Sequence, residues 1–213
     1  MELNTKEERN KKLENYYRVH SIIYDWTRWS FLFGREELLN RIPDLPANPR
    51  ILEIGCGTGK NLAHLEFLFP DAQIYGIDLS EDMIEQASKK VSNGQQVQLI
   101  NGAYGDSEFQ FEPFNLILLS YSLSMLGRQA EPIMEQVYSD LANDGYIAIV
   151  DFYTTPFNWF QRWMEINHVD MDGHLLSLLD TYFMPMIQHR KKAYLGLWDY
   201  LLYIGRRKPS ALL

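Results

Sequence analysis

The sequence predicts an α/β fold: a seven-stranded, mostly parallel sheet with helices on both faces and a C-terminal antiparallel hairpin. Three observations carry that prediction. Short apolar runs alternate with helical patterns from residue 50 to residue 150, the signature of strand–helix units that build parallel sheets. The run Phe114-Asn-Leu-Ile-Leu-Leu119 is almost continuously apolar, as a strand buried on both faces must be. Glycines at 55, 57 and 59 stand between an apolar run and a helical pattern, where a chain must turn sharply from strand into helix.

The elements follow in order. Residues 5–25 read as a helix, polar at first and then apolar at Val19, Ile22 and Ile23. A second helix over 35–42 is stopped by Pro43 and Pro46. Strand 50–54, helix 59–68, strand 73–77 and helix 81–91 come next, with Pro70 breaking the first helix. Asn93-Gly94 is a turn signal before a strand at 96–100. After strand 114–119, a helix over 130–142 closes at Asn143-Asp144-Gly145 before strand 146–150. Residues 156–185 break the rhythm with Trp159, Phe160, Trp163 and a helix-like Leu175–Leu179. Residues 186–194 and 198–206 pair as a hairpin across Gly196. The whole reads as one domain over 1–213: a helical cap (1–45), a core (50–151), an insertion (152–185) and the closing hairpin (186–208).

Composition narrows the function classes. The net charge is −8, from 20 basic and 28 acidic residues, which disfavours a nucleic-acid partner because phosphate neutralisation needs a basic surface. Cys56 is the one cysteine; it excludes an intrachain disulfide and a thiolate metal cluster, and suits a reducing cytoplasm. Met1 to Asn15 is too charged for a secretory leader, and no run reaches the ~18 apolar residues of a membrane span. His168, Asp170, Asp172 and His174 have the residue types of a metal cluster, but a calcium loop would need glycine and a closing Glu elsewhere. No metal is expected.

The glycine loop is built for a nucleoside. Asp78 closes the apolar run 73–77, 19 residues after Gly59, near the ~20 that separates a nucleoside-binding loop from the carboxylate that holds ribose hydroxyls. A dinucleotide fingerprint would need glycine at 60, where Lys60 stands, and a phosphate loop would need glycine at 54, where Ile54 stands. Glu53 disfavours a polyphosphate and suits a ligand that is cationic at its reactive end.

Glu53-x-Gly55-x-Gly57-x-Gly59, followed by Gly76-Ile-Asp78-Leu-Ser-Glu-Asp-Met83, resembles the class I S-adenosylmethionine-dependent methyltransferases over about residues 50–151. The resemblance implies a Rossmann-like fold and the following roles. Glu53, Gly55, Cys56, Gly57 and Gly59 belong to the cofactor loop, with Gly55, Cys56 and Gly57 facing the methionine part through main chain. Asp78 takes the ribose hydroxyls, and Leu79 and Met83 pack on adenine, although Met83 reads equally as helix core. Gly102, Ala103 and Tyr104 meet the adenine edge; relatives often carry Asp at the position of Ala103. Ser120 and Tyr121 face the methyl group, Tyr121 and Tyr24 being the expected catalytic residues, with Tyr24 also at the cofactor. S-adenosylhomocysteine would be the product, with no metal.

The flanks point to an acceptor. The stretch from Tyr17-Arg18-x-His20 through Tyr24-Asp25 and Arg28 to Gly34-Arg35, with Leu119–Met125 and Val150-Asp151-Phe152, is similar to the N-methyltransferases that complete bacterial betaine lipids. That resemblance implies the amine of diacylglyceryl-homoserine or phosphatidylethanolamine as acceptor. Arg28 and Arg35 then pair with its carboxylate or phosphate, or serve as surface ion pairs, while His168 and His174 stand on the acceptor side. A small-molecule or quinone acceptor, and a SAM-binding protein without turnover, stay open. Trp159, Trp163 and Ile166 share one helical side; they read as core under a cap or as a membrane-surface helix. A cytoplasmic enzyme is expected, with peripheral contact to the inner membrane as an open alternative.

Overall fold

The computed structural model describes residues 32–92, 96–106 and 111–212. The expected helix at 5–25, Tyr24, Arg28 and the turn at Asn93-Gly94 lie outside them. Helix α1 (Arg35–Leu39) leads to β1 (Arg50–Ile54), α2 (Lys60–Leu68), β2 (Gln73–Asp78), α3 (Glu81–Ser88), β3 (Val97–Asn101) and β4 (Phe114–Ser120). Then come two 3-10 turns, α4 (Ala130–Asp140), β5 (Leu141–Thr154), α5 (Asn158–Ile166), α6 (Leu175–Tyr182), β6 (Phe183–Ala193) and β7 (Trp198–Arg207).

The strands form one seven-stranded sheet in the order β3-β2-β1-β4-β5-β7-β6. The first five run parallel; β7 lies antiparallel between β5 and β6, so the expected hairpin supplies that edge. Alternate residues of the central strands serve opposite cores. Ile51, Leu116 and Leu118 face one cluster with Leu62, Leu65 and Trp198. Leu52, Ile117 and Leu119 face the other with Met134, Val137 and Leu179. A two-residue side-chain period inside a doubly covered sheet produces this division, and it explains the unbroken apolar run of β4.

Two strands begin earlier than expected, and the helices expected over 35–42 and 81–91 end at Leu39 and Ser88. The turn expected at Asn143-Asp144-Gly145 lies inside β5, which begins at Leu141. Leu141 pairs Phe114 and Tyr146 pairs Leu116, so the intervening residues bulge from the ladder. Likewise β6 starts at Phe183 and absorbs Pro185 through a register shift between Pro185 and Ile187. Proline has no N–H to donate, and an edge strand tolerates that loss.

The sheet order fixes where a ligand can sit. The chain steps outward from β1 through β2 to β3, then returns to β4 on the other side of β1. Connections leave β1 and β4 in opposite directions, opening a crevice at their carboxyl ends. The β1–α2 loop carries the three glycines to that point. Behind it, Gly76 of β2 leaves room for α2: a Cβ there would lie 2.5 Å from Leu62 Cδ1 and 3.1 Å from Cys56 Sγ. Leu62 is fully buried and cannot swing aside, so Gly76→Ala is expected to cost about 1–3 kcal/mol by overpacking. A urea midpoint equal to that of the wild type would contradict this.

Candidate functional site

The loop after β1 is held by main chain. Gly55 and Cys56 N–H both donate to the Ile77 carbonyl, at 2.9 and 3.1 Å, tying the loop to the end of β2. Gly55, Gly57 and Gly59 have φ of 71, 53 and 73°, backbone that residues with a Cβ adopt at a cost. Space adds a second constraint at Gly55, where a Cβ would lie 2.8 Å from the Cβ of Ser122. Ser122 in turn donates from Oγ to the Ile54 carbonyl at 2.9 Å. The loops after β1 and β4 therefore close on each other, as the two walls of one crevice.

Asp78 links that crevice to the next strand. Its Oδ2 accepts from Gly57 N–H at 2.7 Å and its Oδ1 from Ser80 N–H at 3.0 Å. A carboxylate has about four lone-pair positions, and the half-buried Asp78 retains acceptor capacity for a ligand's hydroxyls. Ser80 caps α3, its Oγ accepting from Met83 N–H at 3.4 Å. Met83 is buried and Leu79 half-buried beside it. Gly102 N–H donates to the Asp78 carbonyl at 3.0 Å, and Asn101 Nδ2 donates to the carbonyls of Asp78 and Leu79, each at 3.1 Å. Gly57, Asp78, Leu79, Met83, Gly102 and Ala103 are thus gathered along one rim. A carboxylate with acceptor capacity to spare beside an apolar shelf suits the hydroxyls and the base of a nucleoside.

Other expected residues stand differently. Glu53 is buried, and its Oε1 accepts from Asn61 Nδ2 at 2.7 Å, so it braces β1 against α2 from behind the loop. Buried Cys56 answers the loop's need for a small side chain. Tyr104 departs from its expected place at the adenine edge. Its ring is buried in the core beneath α4 and its hydroxyl donates to Asp140 Oδ2 at 2.7 Å, leaving only its backbone near the rim.

Tyr121 is likewise not placed to act on a methyl group. Its ring is buried edge-on to Phe152, with centroids 4.8 Å apart, and its hydroxyl donates to the Phe33 carbonyl at 2.8 Å. Burial, with the Asp151 charge second, pushes this phenol well above its ordinary range. A proton donor committed to a carbonyl is no base, so Tyr121 holds the chain before α1 against the end of β4. Its φ of 57° bends the backbone there. Next to it, buried Ser120 accepts from Arg35 Nε at 3.0 Å, which brings Arg35 to the carboxyl end of β4.

Asp151 was not foreseen as a site residue. It is completely buried at the end of β5. Its Oδ2 accepts from Leu123 and Ser124 N–H at 2.8 and 3.1 Å, and its Oδ1 from Phe152 N–H at 2.8 Å and from Ser124 Oγ. Burial pushes its carboxyl up to about 6, against these bonds, which favour the charged form. An acid inside the apolar run Ile147–Phe152 was the signal: a charge on a doubly covered strand must have dedicated partners.

The insertion holds both histidines. Asp170 N–H donates to the Ser124 carbonyl at 2.9 Å, docking this segment on the loop after β4. His168 is exposed with φ 59°, and partial burial lowers its proton affinity. His174 pairs through Nδ1 with Asp172. It borders a shallow cleft of about 440 Å³ with Arg128, Glu131 and Thr181, separate from the glycine crevice. Among the described residues no three His, Cys, Asp or Glu side chains converge as metal ligands, and no helix is long and apolar enough to cross a membrane.

With this geometry in place, likeness to known proteins becomes informative. A family described as "Methyltransferase domain" matches residues 51–145. The malonyl-[acyl-carrier protein] O-methyltransferase of Legionella pneumophila is 36% identical over 189 residues, 84% of this chain and 63% of that protein. The carboxy-S-adenosyl-L-methionine synthase of Campylobacter hominis is 27% identical over 154 residues, 68% of this chain and 64% of that protein. The chain spans less than two thirds of the length of these curated relatives. Among solved structures, the N-methyltransferase NodS of Bradyrhizobium japonicum WM9 with S-adenosyl-L-homocysteine superposes with a TM-score of 0.66 at 20% identity, over 82% of this chain and 86% of that one. Geranyl diphosphate C-methyltransferase of Streptomyces coelicolor A3(2) gives 0.69 at 12% identity, over 82% and 75%. At these identities the likeness to solved structures is one of fold.

Proposed function

We propose that the chain, whose residues 51–145 match a methyltransferase domain family and whose fold solved methyltransferases share, transfers a methyl group from S-adenosylmethionine to the amine of a polar lipid headgroup. Diacylglyceryl-homoserine and phosphatidylethanolamine are the headgroups in view. One observation carries the donor assignment: Gly57 N–H and Asp78 are joined at the mouth of the crevice, 2.7 Å apart. Gly55, Cys56 and Gly57 present main chain to the methionine part of the donor. Asp78 accepts from its ribose hydroxyls, Leu79 and Met83 shelve the adenine, and Gly102 and Ala103 meet its edge. Bound S-adenosylmethionine supplies an electrophilic methyl group on a sulfonium, so the protein need contribute no covalent participant.

What remains for the chain is alignment, exclusion of water and proton handling. The hydrogen bond from Ser122 Oγ to the Ile54 carbonyl fixes the two walls against each other. Arg35, bonded through Nε to Ser120 at the carboxyl end of β4, brings a positive charge that suits an acceptor's carboxylate or phosphate. An amine attacks only when neutral. An acid or imidazole near the acceptor would take the ammonium proton, and His168 on the adjoining insertion is the candidate. The exposed apolar surface on the adjoining insertion supports a lipid acceptor. The likeness to the Legionella O-methyltransferase favours a second reading, a carboxylate acceptor on a carrier-borne or small molecule.

Labelled S-adenosylmethionine offered with a total lipid extract, and separately with a water-soluble metabolite extract, tests the acceptor class. Label is expected in the lipid fraction; label confined to a water-soluble product would overturn the lipid reading.

A further inference from the structure

Helix α5 has one wide apolar face, and the sheet covers only part of it. Phe160 and Met164 are buried against the sheet, with Phe160 stacked on Trp198 at 5.6 Å. At the outer edge of that face Trp159 is 62% and Ile166 72% exposed, and Arg162 is exposed on the polar flank beside them. A helix that only roofed a core would bury the whole of its apolar face. The start of α5 is fastened to the β6–β7 turn, Thr155 Oγ1 donating to the Leu197 carbonyl at 2.6 Å. At the tip of that turn Leu195 is fully exposed, with φ of 58°. Left-handed turn positions belong by preference to Gly, Asn or Asp, so a projecting leucine there departs from local chemistry.

We propose that the outer face of α5 and the β6–β7 tip form one membrane-docking surface for a bilayer with anionic headgroups, entered by Trp159, Ile166 and Leu195. The cations flanking the exposed apolar residues favour this occupant, with Glu165 exposed on the same helix and Asp199 across the ladder from Lys192. The chain carries a net charge of −8, yet Arg162 and Lys192 are exposed beside this apolar surface and in no ion pair among the described residues. Nearby Lys191, by contrast, is held by Glu37 at 2.6 Å. Tryptophan suits the boundary between acyl chains and headgroups, and arginine the headgroup layer itself. Because α5 belongs to the insertion that docks on the loop after β4, the surface would set the crevice beside the bilayer. It rests on the lipid reading for its purpose, though not for its detection.

Vesicles of phosphatidylglycerol and phosphatidylcholine contain no methylatable amine, so binding to them is measured apart from turnover. The full chain is expected to co-float with such vesicles and to bind pure phosphatidylcholine at least tenfold more weakly. Trp159→Ser/Ile166→Ser/Leu195→Ser should lose at least tenfold in partitioning with an unchanged melting temperature, as befits exposed residues. Arg162→Gln/Lys192→Gln should erase about tenfold of the anionic preference. Brominated acyl chains should quench tryptophan emission, and less so in Trp159→Phe. Absence of wild-type binding, equal binding by the triple variant, or a wild-type dimer that the triple change dissociates would overturn the proposal, the last by showing that a second copy covers the face. Docking without lipid labelling would leave the surface standing and remove only the acceptor.

Discussion

Asp78→Ala is expected to weaken S-adenosylmethionine binding more than tenfold by titration calorimetry. Two losses combine. The ribose hydroxyls lose a charged acceptor, and hydrogen bonds to charged groups contribute about 1.5–3 kcal/mol. Gly57 and Ser80 also lose the acceptor that positions them, at 2.7 and 3.0 Å, so the cradle slackens. Asp78→Asn separates the two effects. Its one carbonyl oxygen can retain Gly57, while the amide on the other side faces Ser80 N–H, donor against donor. An intermediate affinity is therefore expected. Unchanged affinity in both variants would show that the nucleoside sits elsewhere.

Asp151→Ala is expected to cost about 2–4 kcal/mol of stability at pH 7, because three main-chain N–H groups and the Ser124 hydroxyl lose a buried acceptor together. The wild-type carboxyl has a second signature. Its folded value, about 6, lies above the ordinary 3.8, so the folded state binds the proton more tightly than the unfolded state. The associated stability is complete below about pH 4 and is lost as pH rises through about 6. A rise of about two units corresponds to roughly 3 kcal/mol at most. Urea midpoints measured from pH 4 to pH 7 should show this decline in the wild type and lack it in Asp151→Asn. Parallel profiles for the two proteins would rule out Asp151 as the source.

The reading from sequence and the structure agree where local pattern and global packing demand the same thing. The run at β4, the three alternate glycines and the acid at the end of β2 each obey a constraint set by near neighbours. A strand buried on two faces must be apolar, a tight turn must lack Cβ atoms, and a strand-end carboxylate must find amides. The disagreements arise where one side chain had two destinations. Tyr121 and Tyr104 follow the strands they were expected to serve from the crevice, yet both rings turn into the core, with their hydroxyls held by Phe33 and Asp140. An aromatic with one polar atom buries wherever a single acceptor lies within reach, and sequence does not reveal that acceptor.

By itself, then, the chain's order of residues determined the sheet, the position of the glycine loop and the carboxylate opposite it, since each follows from periodicity and backbone conformation within about 30 residues. Tertiary structure alone decided that Asp151 holds the loop after β4, that Arg35 reaches Ser120, and that Trp159, Ile166 and Leu195 face outward. Those facts depend on contacts between segments 27 to 85 residues apart and on which side of α5 the sheet covers. No local pattern encodes such a choice, because the apolar face of that helix is wider than the sheet can cover and only packing selects the part that is buried.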